Sequence, residues 1–119
     1  MKAVKLNEAP SEYAEGGIFE GGTVNVKTLI DASLGAQQIK SAIVTFPSGA
    51  RTKWHVHDHE QVLYIISGKG IVANEHEEHI AVPGMIFFIP AGENHWHGAT
   101  QEGSFSHLYV YDLKTATKY

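Results

Sequence analysis

The stretch Gly49-Ala50-Arg51-Thr52-Lys53-Trp54-His55-Val56-His57-Asp58-His59-Glu60-Gln61 decides how this chain is read. Side chains alternate between the two faces of an extended strand, so His55 and His57 project from one surface as a pair of imidazoles. Gln61 follows past a short polar turn, where the apolar run Val62-Leu63-Tyr64-Ile65-Ile66 begins. A further histidine, His95, lies in Pro90-Ala91-Gly92-Glu93-Asn94-His95-Trp96-His97, at the entry to another extended segment. Three imidazoles and an amide oxygen that converge inside a barrel can hold a divalent metal and leave coordination positions open. The functional reading depends on that convergence.

Outward from this stretch the pattern is of short strands and turns. On the N-terminal side, Ile39–Phe46 reads as a strand closed by Pro47-Ser48-Gly49. Thr23–Ile30 reads as another, with Val24, Val26 and Thr28 on one face. Gly16-Gly17 and Gly21-Gly22 bracket a short extended piece at Ile18-Phe19, Ala3–Leu6 is expected as a short first strand, and Asp31–Gln37 as a loop. Arg51–His57 is expected to run as one continuous strand. On the C-terminal side, Gln61–Ser67, Ile71–Ala73, His79–Val82, Met85–Ile89, His95–Ala99 and Phe105–Leu113 follow as strands, and Lys114–Tyr119 as a polar tail. The almost wholly apolar Met85–Ile89 is expected in the core. No window shows a helical period, so the fold is predicted to be all-β, a sandwich or barrel.

Composition narrows the function. The chain has 119 residues, enough for one domain with one hydrophobic core. Apolar residues make up 43% and charged residues 18%, with a formal net charge of −4 and no basic cluster, which argues against nucleic acid or an anionic membrane as partner. Without cysteine there are no disulfides, thiolate metal sites or cysteine nucleophiles. Neither an apolar leader segment nor a membrane span is legible, and a cytoplasmic location is expected. Eight histidines against nine lysines and arginines is the one oddity, and it points back to the opening stretch.

Here the residues resemble the cupin superfamily of small jelly-roll barrels. The first cupin motif reads Gly49, His55, His57, then Gln61 where a glutamate is usual, then Gly68; the second reads Gly84, Pro90, Gly92, His95, then Ala99 where an asparagine is usual. Residues of about 40 to 112 further resemble a branch containing manganese-dependent cupin hydroxynitrile lyases and carboxymuconolactone-decarboxylase-like cupins, in which glutamine is the third ligand. The resemblance implies a cupin jelly-roll barrel of two antiparallel sheets over residues 1–119, with a core barrel at about 36–113 and an N-terminal arm at 1–35. It implies His55, His57, Gln61 and His95 as ligands of one divalent transition metal, His107 as the acid/base, and a homodimer formed by N-terminal strand exchange.

The chemistry of the residues bears on the same site. Imidazoles with an oxygen ligand suit Mn, Fe, Zn, Ni or Cu, with Mn the expectation from the resemblance. An amide in place of a carboxylate leaves the ion its full positive charge, a stronger Lewis acid for a bound oxygen. Strand parity puts Tyr109 and Tyr111 on the side of His107, and Ala42 and Val44 at small facing positions that leave room for a substrate. His97 shares parity with His95 and reads either as a cavity residue or as part of the rim. Arg51 shares parity with His55 and reads either as an anion clamp or as a surface residue; a bulge near Pro47–Gly49 would break that parity. His59, His76 and His79 read as exposed, and Trp54 and Trp96 as packing. Gln61 is a ligand or a hydrogen-bonding neighbour, and His107 an acid/base or a satisfied core histidine. The expected function is a metal-dependent enzyme acting on a small polar oxygenated molecule by lyase-type C–C bond or acid/base chemistry. The alternatives are an Fe(II) dioxygenase and a non-catalytic small-molecule binding module.

Overall fold

The structure, a computed structural model, describes residues 1–119. Thirteen strands follow one another along the chain: β1 (Ser11–Ala14), β2 (Phe19–Glu20), β3 (Val24–Ile30), β4 (Ile39–Phe46), β5 (Arg51–Thr52), β6 (Val56–His57) and β7 (Gln61–Gly68). They continue as β8 (Gly70–Asn74), β9 (Glu78–Ala81), β10 (Ile86–Ile89), β11 (His95–Ala99), β12 (Phe105–Asp112) and β13 (Thr117–Lys118). The only helical pieces are single 3-10 turns at Leu6–Glu8 and Ala32–Leu34. The first of these overlaps the segment expected as a strand at Ala3–Leu6.

Six strands form one antiparallel sheet in the order β1-β3-β4-β12-β7-β10, and five form a second in the order β2-β5-β11-β8-β9. The small pair β13-β6 sits apart from both. The N-terminal residues supply β1 to β3 and so enter both sheets, with β1 paired to β3 of the same chain. The fold is thus the all-β, two-sheet barrel expected from the alternating pattern.

The two sheets meet over a core that contains Val24, Phe46, Leu63, Ile65 and Phe105, all essentially without solvent contact. Phe46 stacks on Phe105 at 6.2 Å and meets Phe19 edge-on at 5.9 Å. Burial of each such side chain contributes roughly 1.5–3 kcal/mol relative to exposure. Close approach between chain segments selects glycine at two positions. A Cβ on Gly68, where φ is +78°, would collide with the Ser104 carbonyl, and one on Gly98 would overlap Arg51.

Ala3–Leu6 is not a strand, and two further sequence expectations need correction. Arg51–His57 is not one strand: Lys53 and Trp54 interrupt it, and the chain resumes at an isolated bridge between His55 and His95. Met85–Ile89 is not wholly core, because Ile86 and Phe88 are 67% and 60% exposed while Ile89 is buried. Four apolar residues in a row can lie in a strand only by facing both ways.

Candidate metal centre and its cavity

Two backbone hydrogen bonds bring distant histidines together. His55 N–H donates to the His95 carbonyl at 2.9 Å, and His95 N–H donates back at 3.0 Å. The two rings consequently lie with centroids 4.1 Å apart. Backbone carbonyls then fix their tautomers. His55 Nδ1 donates to the Lys53 carbonyl and His95 Nδ1 to the Glu93 carbonyl, each at 2.8 Å. A carbonyl only accepts, so the proton sits on Nδ1 and each Nε2 keeps its lone pair.

His57 is held the same way by a different partner. Its Nδ1 lies 2.8 Å from the Thr117 hydroxyl, which can accept from it and so leave Nε2 free for a cation. The His57 ring stands 4.9 Å from that of His55 and 5.1 Å from that of His95. Gln61, buried at the start of β7, adjoins it. His57 Nε2, Gln61 Oε1 and His95 Nε2 are all buried without a hydrogen-bond partner. Orphaned polar atoms of this kind cost about 1–3 kcal/mol each, so three on neighbouring side chains fit a ligand set for a cation.

His97 lies deeper than a rim residue. It is buried on β11, and its backbone N–H donates to Thr52 Oγ1 at 3.1 Å. Ring nitrogens of His55, His95 and His97 all lie within 4.8 Å of one another, a buried three-histidine group able to bind a metal. His57 is not part of that mutual group. Two ligand sets therefore share His55 and His95: one adds His57 and Gln61, the other adds His97. His97 Nδ1 also meets His107 Nε2 at 3.0 Å, a bond that joins β11 in one sheet to β12 in the other.

Electrostatics keeps these rings ready to bind. Burial, reinforced for His55 by the neighbouring His95, pushes His55 down to about 3 and His57 to about 4. Burial also brings His107 down to about 3 and lowers His95 and His97. All five imidazoles are neutral at ordinary pH, so no proton has to leave before a lone pair can reach a cation. Burial pushes Tyr109 up, which keeps its phenol protonated and available as a donor.

The cluster opens on a cavity of about 290 Å³. His55, His57, Gln61 and His97 form one wall, and Val44, His107, Tyr109 and Tyr111 the other. His95 lies behind this wall and borders a second cavity of about 330 Å³ with Val72, Phe87 and Ile89. Ala42 shares the inward face of β4 with Val44 but is packed in the core and does not line the cavity. Arg51 is not at the cavity either. Thr52 is the inward residue of β5, so the guanidinium turns outward, 3.6 Å above the Trp96 ring and 3.5 Å from Glu20. The interruption at Lys53-Trp54 shifts the parity that would have aligned Arg51 with His55.

Sequence reasoning missed the residues that close the cavity. Ile18 and Phe19 come from the N-terminal segment, and Thr117 and Tyr119 from the C-terminal one. The tail is no free polar end: Thr117 pairs with His57, and the Asp58 carboxylate accepts the Ala116 N–H at 2.8 Å. The signal available was Thr115, Thr117 and Tyr119 at a period of two, the mark of a short strand. His59, His76 and His79 stand outside the cavity, and no helix is long and apolar enough to cross a membrane.

Comparison with known proteins places this arrangement. An (R)-mandelonitrile lyase from Granulicella tundricola is 38% identical over 93 residues, spanning 75% of this chain and 68% of the lyase. A cupin-like protein from Thermotoga maritima superposes with a TM-score of 0.82 at 28% identity, over 90% of this chain and 82% of its own. A polyketide cyclase from Streptomyces resistomycificus reaches 0.88 over 99% of this chain and 84% of the cyclase; at 21% identity that likeness speaks to the fold alone. The cupin domain family matches residues 42–111, the span from β4 to β12 that carries every histidine of the cluster, and the chain belongs to that family.

Proposed function

We propose that this chain is a metal-dependent cupin lyase that breaks or forms a C–C bond in a small polar oxygenated molecule, with hydroxynitriles as the substrate class. The observation that carries the reading is the set of orphaned, buried donor atoms on His57, Gln61 and His95 beside the cavity. The likeness to a mandelonitrile lyase supports the reaction class. In this reading His55, His57, Gln61 and His95 hold one divalent transition metal, manganese by preference, with Fe, Zn, Ni and Cu compatible with the same donors. The ion supplies Lewis-acid polarisation of a substrate oxygen, undiminished by any carboxylate ligand.

The chain's own residues do the remaining work. His107 lines the cavity with Nδ1 unpartnered, and it takes the substrate hydroxyl proton as the C–C bond breaks and the carbonyl forms. Cyanide leaves with the bonding electrons, and the His107 imidazolium returns the proton to it. Tyr109 and Tyr111, with ring centroids 4.7 Å apart, orient the substrate, while Ile18 and Phe19 screen it from water.

Elemental analysis of purified protein, followed by an assay of mandelonitrile cleavage before and after chelation, tests the proposal. One metal per chain and an activity lost on chelation and restored by Mn(II) are expected. Fully loaded protein that is inert on a hydroxynitrile panel overturns it. Oxygen uptake with Fe(II) alone would then indicate a dioxygenase, and a retained ligand without turnover a binding module.

A further inference from the structure

The lining of the cavity divides by its origin in the chain. Its imidazoles, Gln61 and the Tyr109–Tyr111 pair all lie within residues 42–111, the span matched by the cupin family. Ile18, Phe19, Val26, Thr117 and Tyr119 come from the flanks on either side of that span. None of these five is charged and none is an imidazole, so what the flanks offer a substrate is shape. Two of them stand where the cavity opens to solvent. Tyr119 is 66% exposed and Ile18 is half-buried, while both still line the cavity.

Both flanks are fastened to the segment that carries the cluster. Lys53 N–H donates to the Ile18 carbonyl at 2.7 Å, and the Lys53 carbonyl accepts from His55 Nδ1 at 2.8 Å. On the C-terminal side β13 pairs with β6. Asp58 N–H donates to the Ala116 carbonyl at 3.2 Å, and the Asp58 carboxylate accepts the Ala116 N–H at 2.8 Å. The Tyr119 hydroxyl lies 3.4 Å from the point where Gly17 would carry a Cβ, which brings the two flanks together at the opening. We propose that Ile18 and Tyr119 are specificity-determining residues, forming an outer wall that admits a substrate with one ring and turns away one with two fused rings. The inference rests on the proposed reading of this cavity as the substrate's site and adds what limits the substrate's reach. At about 290 Å³ the cavity is at the small end of ligand pockets, so little space is left beyond one ring. Against a closed apolar wall a single added methylene already changes selection about 10- to 200-fold. The groups that react and the groups that select therefore belong to different parts of the sequence, strands for the first and flanking segments for the second.

Calorimetric titration of the full, Mn(II)-loaded chain with benzamide and with 2-naphthamide tests the inference. The natural protein is expected to hold benzamide at least about 10-fold more tightly than 2-naphthamide. Ile18→Ala and Tyr119→Ala should each remove most of that preference by strengthening the naphthamide complex, with metal content unchanged. Tyr13→Ala, at an exposed tyrosine on β1 that does not line the cavity, should leave the preference as it was. A natural protein that binds both amides equally, or neither, overturns the inference. So does a preference that survives both cavity variants, or that Tyr13→Ala removes equally well. Variants that lose the metal along with both amides overturn it too, since the flanks would then hold the site together rather than select. Neither amide has a bond for a lyase to cleave. Selection by size can therefore be found in a protein inert on hydroxynitriles, and can fail in one that cleaves them.

Discussion

The two faces of β12 carry opposite chemistry. Inward, the strand presents His107, Tyr109 and Tyr111 to a cavity; outward, it presents Leu108 and Val110 to a bare apolar surface. A sheet that faces water on one side is normally apolar within and polar without. Here the order is reversed around the site. The interior between the sheets holds five buried imidazoles, four of them with an unpartnered ring nitrogen, so it is destabilising until something satisfies those atoms. Apolar residues on the outer face gain only when something covers them. Each face departs from the usual pattern in its own way, one by its buried unpartnered donors and the other by its exposed apolar side chains.

The inner face is broken most severely at His55. It belongs to both ligand sets, and its pairing with His95 sets the spacing of the cluster. His55→Ala is expected to lower metal affinity at least about 10³-fold, read as loss of bound metal after dialysis. Comparing His57→Ala with His97→Ala then separates the two ligand sets. Metal lost with the first and kept with the second supports the set that includes Gln61.

A step smaller is His107→Ala, which removes the proton acceptor and leaves the cation site standing. Turnover should fall about 10²- to 10⁴-fold while metal content stays at one per chain. Loss of metal in this variant would mean that His107 acts through its bond to His97 rather than on substrate.

Stability offers a direct contrast between the faces. Leu63 and Tyr64 are adjacent on β7, one with no solvent contact and the other 46% exposed. Leu63→Ala should cost about 3 kcal/mol in urea unfolding through the cavity it leaves. Tyr64→Ala should cost less than about 1 kcal/mol, because the side chain it removes is already half in water.

What the sequence revealed, and what it hid, follows the same division. His55, His57, Gln61 and His95 were legible because glycines and a proline at fixed distances mark the turns around them, and turn chemistry is local. The parity of His107, Tyr109 and Tyr111 was legible because β12 runs without a break from Phe105 to Asp112. Arg51 could be read as clamp or as surface because two residues, Lys53 and Trp54, leave the strand, and nothing local marks the break that turns it outward. Ile86 and Phe88 were read as core because an apolar run does not say which of its faces meets a partner. Thr117 escaped notice for a different reason: its partner His57 is 60 residues away, and the period of two through Thr115, Thr117 and Tyr119 marks a strand but not the imidazole it will meet.

That threonine gives the smallest of the expected effects and the sharpest test of how the inner face is held. Thr117 meets the cluster at His57, as its partner across β13 and β6 and through its hydroxyl, 2.8 Å from His57 Nδ1. By accepting that proton it would keep Nε2 unprotonated and fix the ring's rotation, the part that outer hydrogen-bond partners commonly play for metal-bound histidines. Thr117→Val keeps the size and β-branching of the side chain but cannot accept the bond. It should weaken metal binding by about 10-fold, and up to about 100-fold, in competition with a chelator of known affinity. Thr117→Ser restores the acceptor and should recover most of the loss. Equal weakening by serine and valine would assign the effect to packing of β13 against β6. No weakening by either would show that the ion does not use His57, leaving the group of His55, His95 and His97 as its ligands.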